Sequence, residues 1–172
     1  MEIRLINKAD AAALAEYFDV NMEHFKQWQP IRETGYYSQE SLATRLAEYE
    51  HQQKNGSAAH FVGLVNDKVV SHCFLTNIIY GPFQAGFMGY GVSKANEGAG
   101  VMTKVCVDAL EYAFNELGLN RVMANYIPHN TRSARLLEKL GFSVEGLAKK
   151  YLKINGVWED HVLTSKLNPE SE

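Results

Sequence analysis

Apolar positions along this chain switch repeatedly between helical and strand periods. The first third repeats at helical spacing: Ala11, Leu14 and Phe18 share one face, and further on Leu42, Leu46 and Tyr49 share another, which predicts two helices. Asn7, with Asp10 three residues on, makes a capping-box signal for the first. Ser38 caps the second, which runs to about Lys54 and stops at Asn55-Gly56. Residues 3–6 read as a short strand ahead of both. The period then falls to two, and residues 60–65, 68–79 and 83–92 read as antiparallel strands joined by turns at Asn66-Asp67 and Tyr80-Gly81-Pro82. Helical spacing returns with Val101, Val105, Ala109 and Tyr112 or Ala113, and ends at Gly118. A strand over 121–126 follows, then a helix over 131–140 with Ala134, Leu137 and Leu140 inward, closed by Gly141. Residues 151–154 and 157–163 flank Asn155-Gly156, the strongest two-residue hairpin signal in the chain.

The order is strand, two helices, three strands, helix, strand, helix and two strands, without repeat or linker. It predicts one α/β (α+β) domain over 1–172, with a mixed, mostly antiparallel sheet and helices on both faces. Residues 21–33, dense in aromatic and polar side chains and broken by Pro30, suit a lid or pocket wall and equally a buried connector.

Residues 89–102 bring a strand, a polar turn and the glycine pair Gly98 and Gly100 to the start of a helix. Free N–H groups and the helix dipole would meet at one spot there, and glycines let a phosphate approach the backbone. A P-loop is excluded, because Val101-Met102 follows where Lys-Ser or Lys-Thr is required. A dinucleotide fingerprint fails at Thr103, which stands in place of its third glycine. Two glycines alone are more often a simple turn.

Composition narrows the classes. The 172 residues are 46% hydrophobic and 22% charged, as in an ordinary globular chain. A formal net charge of -3 argues against binding nucleic acid over a broad surface and is compatible with a basic peptide. Cys73 and Cys106 suggest neither a disulfide framework nor zinc, and the six histidines show no paired spacing, so no metal is expected. Asp10 and Glu16 interrupt any apolar leader, and no apolar run approaches about 18 residues, so the expectation is a cytoplasmic protein without a membrane span.

The glycine stretch and the second half of the chain carry a resemblance. Ala95-Asn96-Glu97-Gly98-Ala99-Gly100 resembles the pyrophosphate loop of the GNAT superfamily of N-acetyltransferases, with Ala95 where the pattern has Arg or Gln. Residues 123–133, then Leu136-Leu137, Leu140-Gly141-Phe142, Glu145-Gly146, residues 149–152 and residues 155–163 resemble its ribosomal-protein branch. Phe83-Gln84-Ala85, Gly89-Tyr90, and Trp28-Gln29-Pro30 with Arg32 place it nearest the members that acetylate an N-terminal alanine of small-subunit ribosomal protein five.

The resemblance implies acetyl-CoA as cofactor. Two strands parting beyond Tyr90 would leave Tyr90, Gly91, Val92 and Ser93 to donate to its pantetheine arm. Gly98, Ala99, Gly100, Val101, Met102 and Thr103 would hold the pyrophosphate, with Asn130 and Ser133 also in contact. Ser133 is further implied as the acid for the departing thiolate, against the alternative of an ordinary first-turn serine. Tyr126 is a second acid candidate, or a core aromatic. Phe25, Trp28, Arg32 and Glu33 would face the acceptor, the N-terminal tail of a ribosomal protein. The implied partners include neither nucleic acid nor membrane, and the implied state is a monomer or homodimer.

Phe87 stands where many relatives place a basic glutamate, and Leu152 falls near another base position. An α-amino group titrates near 8 and a lysine near 10.4, so at neutral pH roughly a tenth of the first is already neutral. A site without a strong base therefore suits an N-terminal amine, with His72, His129, Glu33 or a backbone-held water as possible helpers. Two other readings stay open: acetylation of a small amine such as a polyamine or aminoglycoside, and a non-catalytic acyl-CoA-binding module.

Overall fold

Strand alternation divides the chain between two cores. The computed structural model describes residues 1–171. Its strands are β1 (Glu2–Leu5), β2 (Ala59–Val65), β3 (Lys68–Ile79), β4 (Ala85–Val92), β5 (Arg121–Tyr126), β6 (Ser143–Ile154) and β7 (Val157–Leu167). The helices are α1 (Ala11–Val20), α2 (Met22–Lys26), α3 (Gln39–Asn55), α4 (Val101–Glu111) and α5 (Thr131–Lys139). Successive side chains leave opposite faces of a strand, so on β2 Phe61 joins one core while Val62 and Leu64 join the other. The first core packs Val105, Ala109 and Leu137 of α4 and α5 against Leu75 and Val122. The second packs Leu14 and Phe18 of α1 and Leu42 and Leu46 of α3.

The local signals act as the residue types require. Both halves of the Asn7/Asp10 capping box form, Ser38 accepts from the Ser41 N–H, and Gly56 ends α3 at φ 74°. Asn66 and Asp67, and likewise Asn155 and Gly156, all take left-handed φ, which suits tight two-residue hairpins. The sequence predicts the last hairpin's strands over 151–154 and 157–163, yet β6 begins at Ser143 and β7 continues to Leu167. Register shifts at Val144/Gly146 and Ala148/Leu152 break the alternation that would have revealed the full strand. The aromatic segment also contains a short helix, α2, that no periodicity announced.

The sheet order is β1-β2-β3-β4-β5-β7-β6. Its parallel pair is β4 and β5, joined by the crossover through α4. That ladder stops at Phe87–Met123, three residues before the expected parting at Tyr90, while β4 continues along β3 to Val92. The centre of the sheet is therefore open on one side of β4.

Candidate active site

The opening continues into a cleft of about 1960 Å³. At one end stands the N-terminus of α4. Gly98 and Gly100 both have φ 74°, and a Cβ on either would meet no protein atom within 4 Å. No side chain caps the helix and its first turn holds no acid. The first helical bond runs from the Lys104 N–H to the Gly100 carbonyl, which leaves the N–H groups of Val101, Met102 and Thr103 for an anion. This cradle fits a pyrophosphate. Arg135 and Lys139 of α5 line the same cleft, a cationic contribution that glycine spacing could not reveal. Glu97 does not oppose it freely, since it pairs with His24 at 3.2 Å and with Arg132. Ala99 is exposed and outside the cleft walls.

The four expected donors on β4 divide by strand phase. The Ser93 N–H already donates to the Val70 carbonyl at 2.8 Å. Antiparallel alternation puts Gly91 in the same phase, bonded towards β3, and turns the N–H and C=O groups of Tyr90 and Val92 to the gap. Expecting all four residues to donate is corrected to two.

Tyr90 has a second feature that the sequence did not disclose: its hydroxyl lies 2.5 Å from Ser133 Oγ. Asn130 caps α5 through Oδ1, accepting from the Ser133 N–H at 3.2 Å. The serine's backbone is thus what joins the cap, and its hydroxyl faces Tyr90. Burial pushes the Tyr90 phenol well above its ordinary range, against the lowering effect of the Ser133 bond. It stays protonated near neutrality, and either hydroxyl of the pair can be the donor to the other. Tyr126, at the end of β5, lines the cleft.

The other half is walled by α1, α2 with its following loop, and α3, with His161 reaching in from β7. Phe25 is buried against Tyr17, Phe18 and His72, and Trp28 lies 5.5 Å from the exposed His129. The loop is tied to the β6–β7 hairpin by the Asn155 N–H, which donates to the Gln29 carbonyl at 2.9 Å. Arg32 lies over the Tyr36 ring at 4.8 Å. Glu33 is exposed and outside the cleft walls, because a turn closed by Tyr36 N–H to Glu33 C=O carries it away. Its expected roles at the acceptor and as a base are corrected accordingly. Arg45, His60 and His161 line the cleft without having been singled out. Their positions within helix and strand patterns gave no local signal. Phe87 pairs with Thr76 and Met123 inside the sheet, and Leu152 is exposed on β6.

His72 is buried, with Nδ1 2.9 Å from the Tyr17 hydroxyl. It needs Gly91 beside it, since a Cβ there would come within 2.5 Å of Cε1. Burial, then the neighbouring His60, bring its pKa down to about 4, and burial brings His60 to about 4 as well. Both are neutral in the fold at neutral pH, while an unfolded chain protonates them near 6.5. Below about 6.5 the unfolded state therefore binds more protons, and stability falls until about pH 4, by up to about 3 kcal/mol for either histidine. Urea melts at pH 7.5, 5.5 and 4.5 should show this loss, and a flat profile would exclude it.

A profile of the acetyltransferase (GNAT) domain matches residues 1–143. The chain is 38% identical over 173 aligned residues to the probable N-acetyltransferase YjcK of Bacillus subtilis, covering 99% of this chain and 95% of that protein. It is 36% identical over 171 residues to the [ribosomal protein uS5]-alanine N-acetyltransferase of Escherichia coli, covering 98% and 88%. The crystal structure of the ribosomal-protein-S5-alanine acetyltransferase from Vibrio fischeri superposes with a TM-score of 0.95 at 39% identity, covering 99% of this chain and 94% of that one.

Proposed function

The chain belongs to the acetyltransferase (GNAT) family and is an acetyl-CoA-dependent N-acetyltransferase, and from that premise we propose that its acceptor is the N-terminal α-amine, an alanine, of a ribosomal protein. The observation that carries this reading is likeness to the uS5-alanine enzymes over nearly the whole of both chains. The reaction belongs in the cytoplasm, where ribosomal proteins are made; among the described residues no helix is long and apolar enough to cross a membrane.

Bound acetyl-CoA supplies the thioester. Gly98, Gly100 and the free N–H groups of Val101, Met102 and Thr103 would hold its pyrophosphate, and Tyr90 and Val92 would bond its amides across the gap. The acceptor amine attacks directly, held by the wall of Phe25, Trp28 and Arg32. As the C–S bond breaks, the Tyr90–Ser133 pair would give a proton to the departing sulfur, with Tyr126 as the reserve donor. The pair would be restored, through water, by the proton that the attacking nitrogen loses as the amide forms. His72, neutral and hydrogen-bonded to Tyr17, is too weak a base to deprotonate an ammonium, so the amine enters already neutral.

A polyamine acceptor fits poorly. The carboxylates lining the cleft are Glu23 and Glu97; Glu97 is already paired, and a polycation would meet Arg32 and Arg45. To test the reading, the enzyme and labelled acetyl-CoA are incubated with dissociated ribosomal proteins and the products mapped by mass spectrometry. Label on the N-terminal alanine of the uS5 protein is expected. Label confined to lysine side chains or to other proteins would overturn it.

A further inference from the structure

Arg45, on α3, is a half-buried cation with no carboxylate within ion-pairing distance among the described residues. Its guanidinium lies 3.5 Å over the Tyr36 ring, and Nη2 donates to the Tyr36 carbonyl at 2.7 Å. Nε and Nη1 are shielded and have no hydrogen-bond partner. Nη2 carries a second N–H that lies alongside either Nε–H or Nη1–H, so one edge of the planar fork that matches a carboxylate is left without a partner. Arg32 lies over the same ring at 4.8 Å, so two cations meet there with no acid to compensate. One turn along α3, Tyr49 stacks at 3.8 Å on His60, which is 3% exposed with neither ring nitrogen hydrogen-bonded. All of these line the acceptor half of the cleft. Buried polar groups are normally satisfied, so donors in a cleft wall that no protein group satisfies are where a water or a ligand would bond.

We propose that Arg45 and Arg32, with His60 beside them, bind a carboxylate of the acceptor, so that the enzyme selects an N-terminal tail carrying an acidic residue shortly after its reacting amine. This rests on the peptide-acceptor reading above. The carboxylate has two possible sources: an Asp or Glu side chain within the tail, or the α-carboxylate of a very short acceptor. Neutral His60 adds hydrogen bonding without charge, and the two arginines supply the charge.

The test measures binding, so it does not depend on turnover. Protein loaded with coenzyme A is titrated by calorimetry with short alanine-started peptide amides. Glutamate is scanned through the residues after the alanine and compared with glutamine. Alanine-started dipeptides, with and without a free C-terminal carboxylate, form the second arm. At one scanned position glutamate should bind about tenfold more tightly than glutamine. Arg45→Gln should erase most of that difference without changing coenzyme A affinity. Arg32→Gln, at an exposed residue, should narrow it and keeps the test open if Arg45→Gln does not fold. An Arg45-dependent gain seen only with the free dipeptide carboxylate would keep the site and overturn the tail as its source. Equal binding in both arms, or a preference that survives both substitutions, would overturn the site. Failure of the peptide-acceptor reading would show separately, as selective binding without acetyl transfer to the α-amine.

Discussion

Valine in place of Gly100 is expected to weaken coenzyme A binding about ten- to a hundredfold. Gly100 opens α4 at φ 74°, where a β-branched residue is strained by about 1–3 kcal/mol. Relieving that strain turns the Val101 to Thr103 N–H groups away from their common focus. Even unrelieved, the side chain projects from a backbone that is open to the cleft. A penalty of about 1.4 to 2.8 kcal/mol on the bound state gives the stated range. Gly81 is the control: it is equally left-handed and open, at φ 76°, but lies in the β3–β4 turn away from the cleft. Gly81→Val should lower thermal stability and leave coenzyme A affinity unchanged by calorimetry. Similar affinity in the Gly100→Val and wild-type proteins would remove the helix N-terminus from cofactor binding.

Tyr90→Phe and Ser133→Ala should each lower kcat about a hundredfold or more, the loss typical of a removed proton donor, while coenzyme A affinity stays within a few-fold. The two hydroxyls are 2.5 Å apart and are assigned one task, so the double variant should be little worse than either single one. That non-additivity separates a working pair from two independent contributions. Phenylalanine keeps the ring and the β4 backbone, and Asn130 still caps α5 in the alanine variant, so neither change should unfold the site. Full turnover by either single variant would dismiss the pair and return attention to Tyr126.

Features dictated by one or two residues are legible in the sequence. The Asn7/Asp10 box, the Gly56 stop, the Asn155-Gly156 hairpin and the glycine pair before α4 depend on local backbone demands that few residue types meet. The front half of β6 was not legible, because register shifts and exposure remove its alternation. The Tyr90–Ser133 pair lay out of reach for another reason. The two residues are 43 apart in sequence, and what joins them is the parallel β4–β5 pairing followed by α5. Ser133 was visible through resemblance alone; the Tyr90 hydroxyl was not visible at all. The acceptor wall was the least readable part. Glu33 turns out of it, because a loop without periodicity does not say which side a residue will face, and Arg45 enters it from α3, where helical spacing marked only the apolar face.

The central claim is that the reacting group is a free N-terminal α-amine, already neutral in part at physiological pH. Free-thiol release from acetyl-CoA tests it most directly, with three acceptors compared at equal concentration: an alanine-started peptide, its N-blocked lysine-containing counterpart, and spermine. Release with the free α-amine alone, rising towards pH 8 as that amine deprotonates, is the predicted result. Faster release with spermine or with the blocked lysine peptide would contradict it.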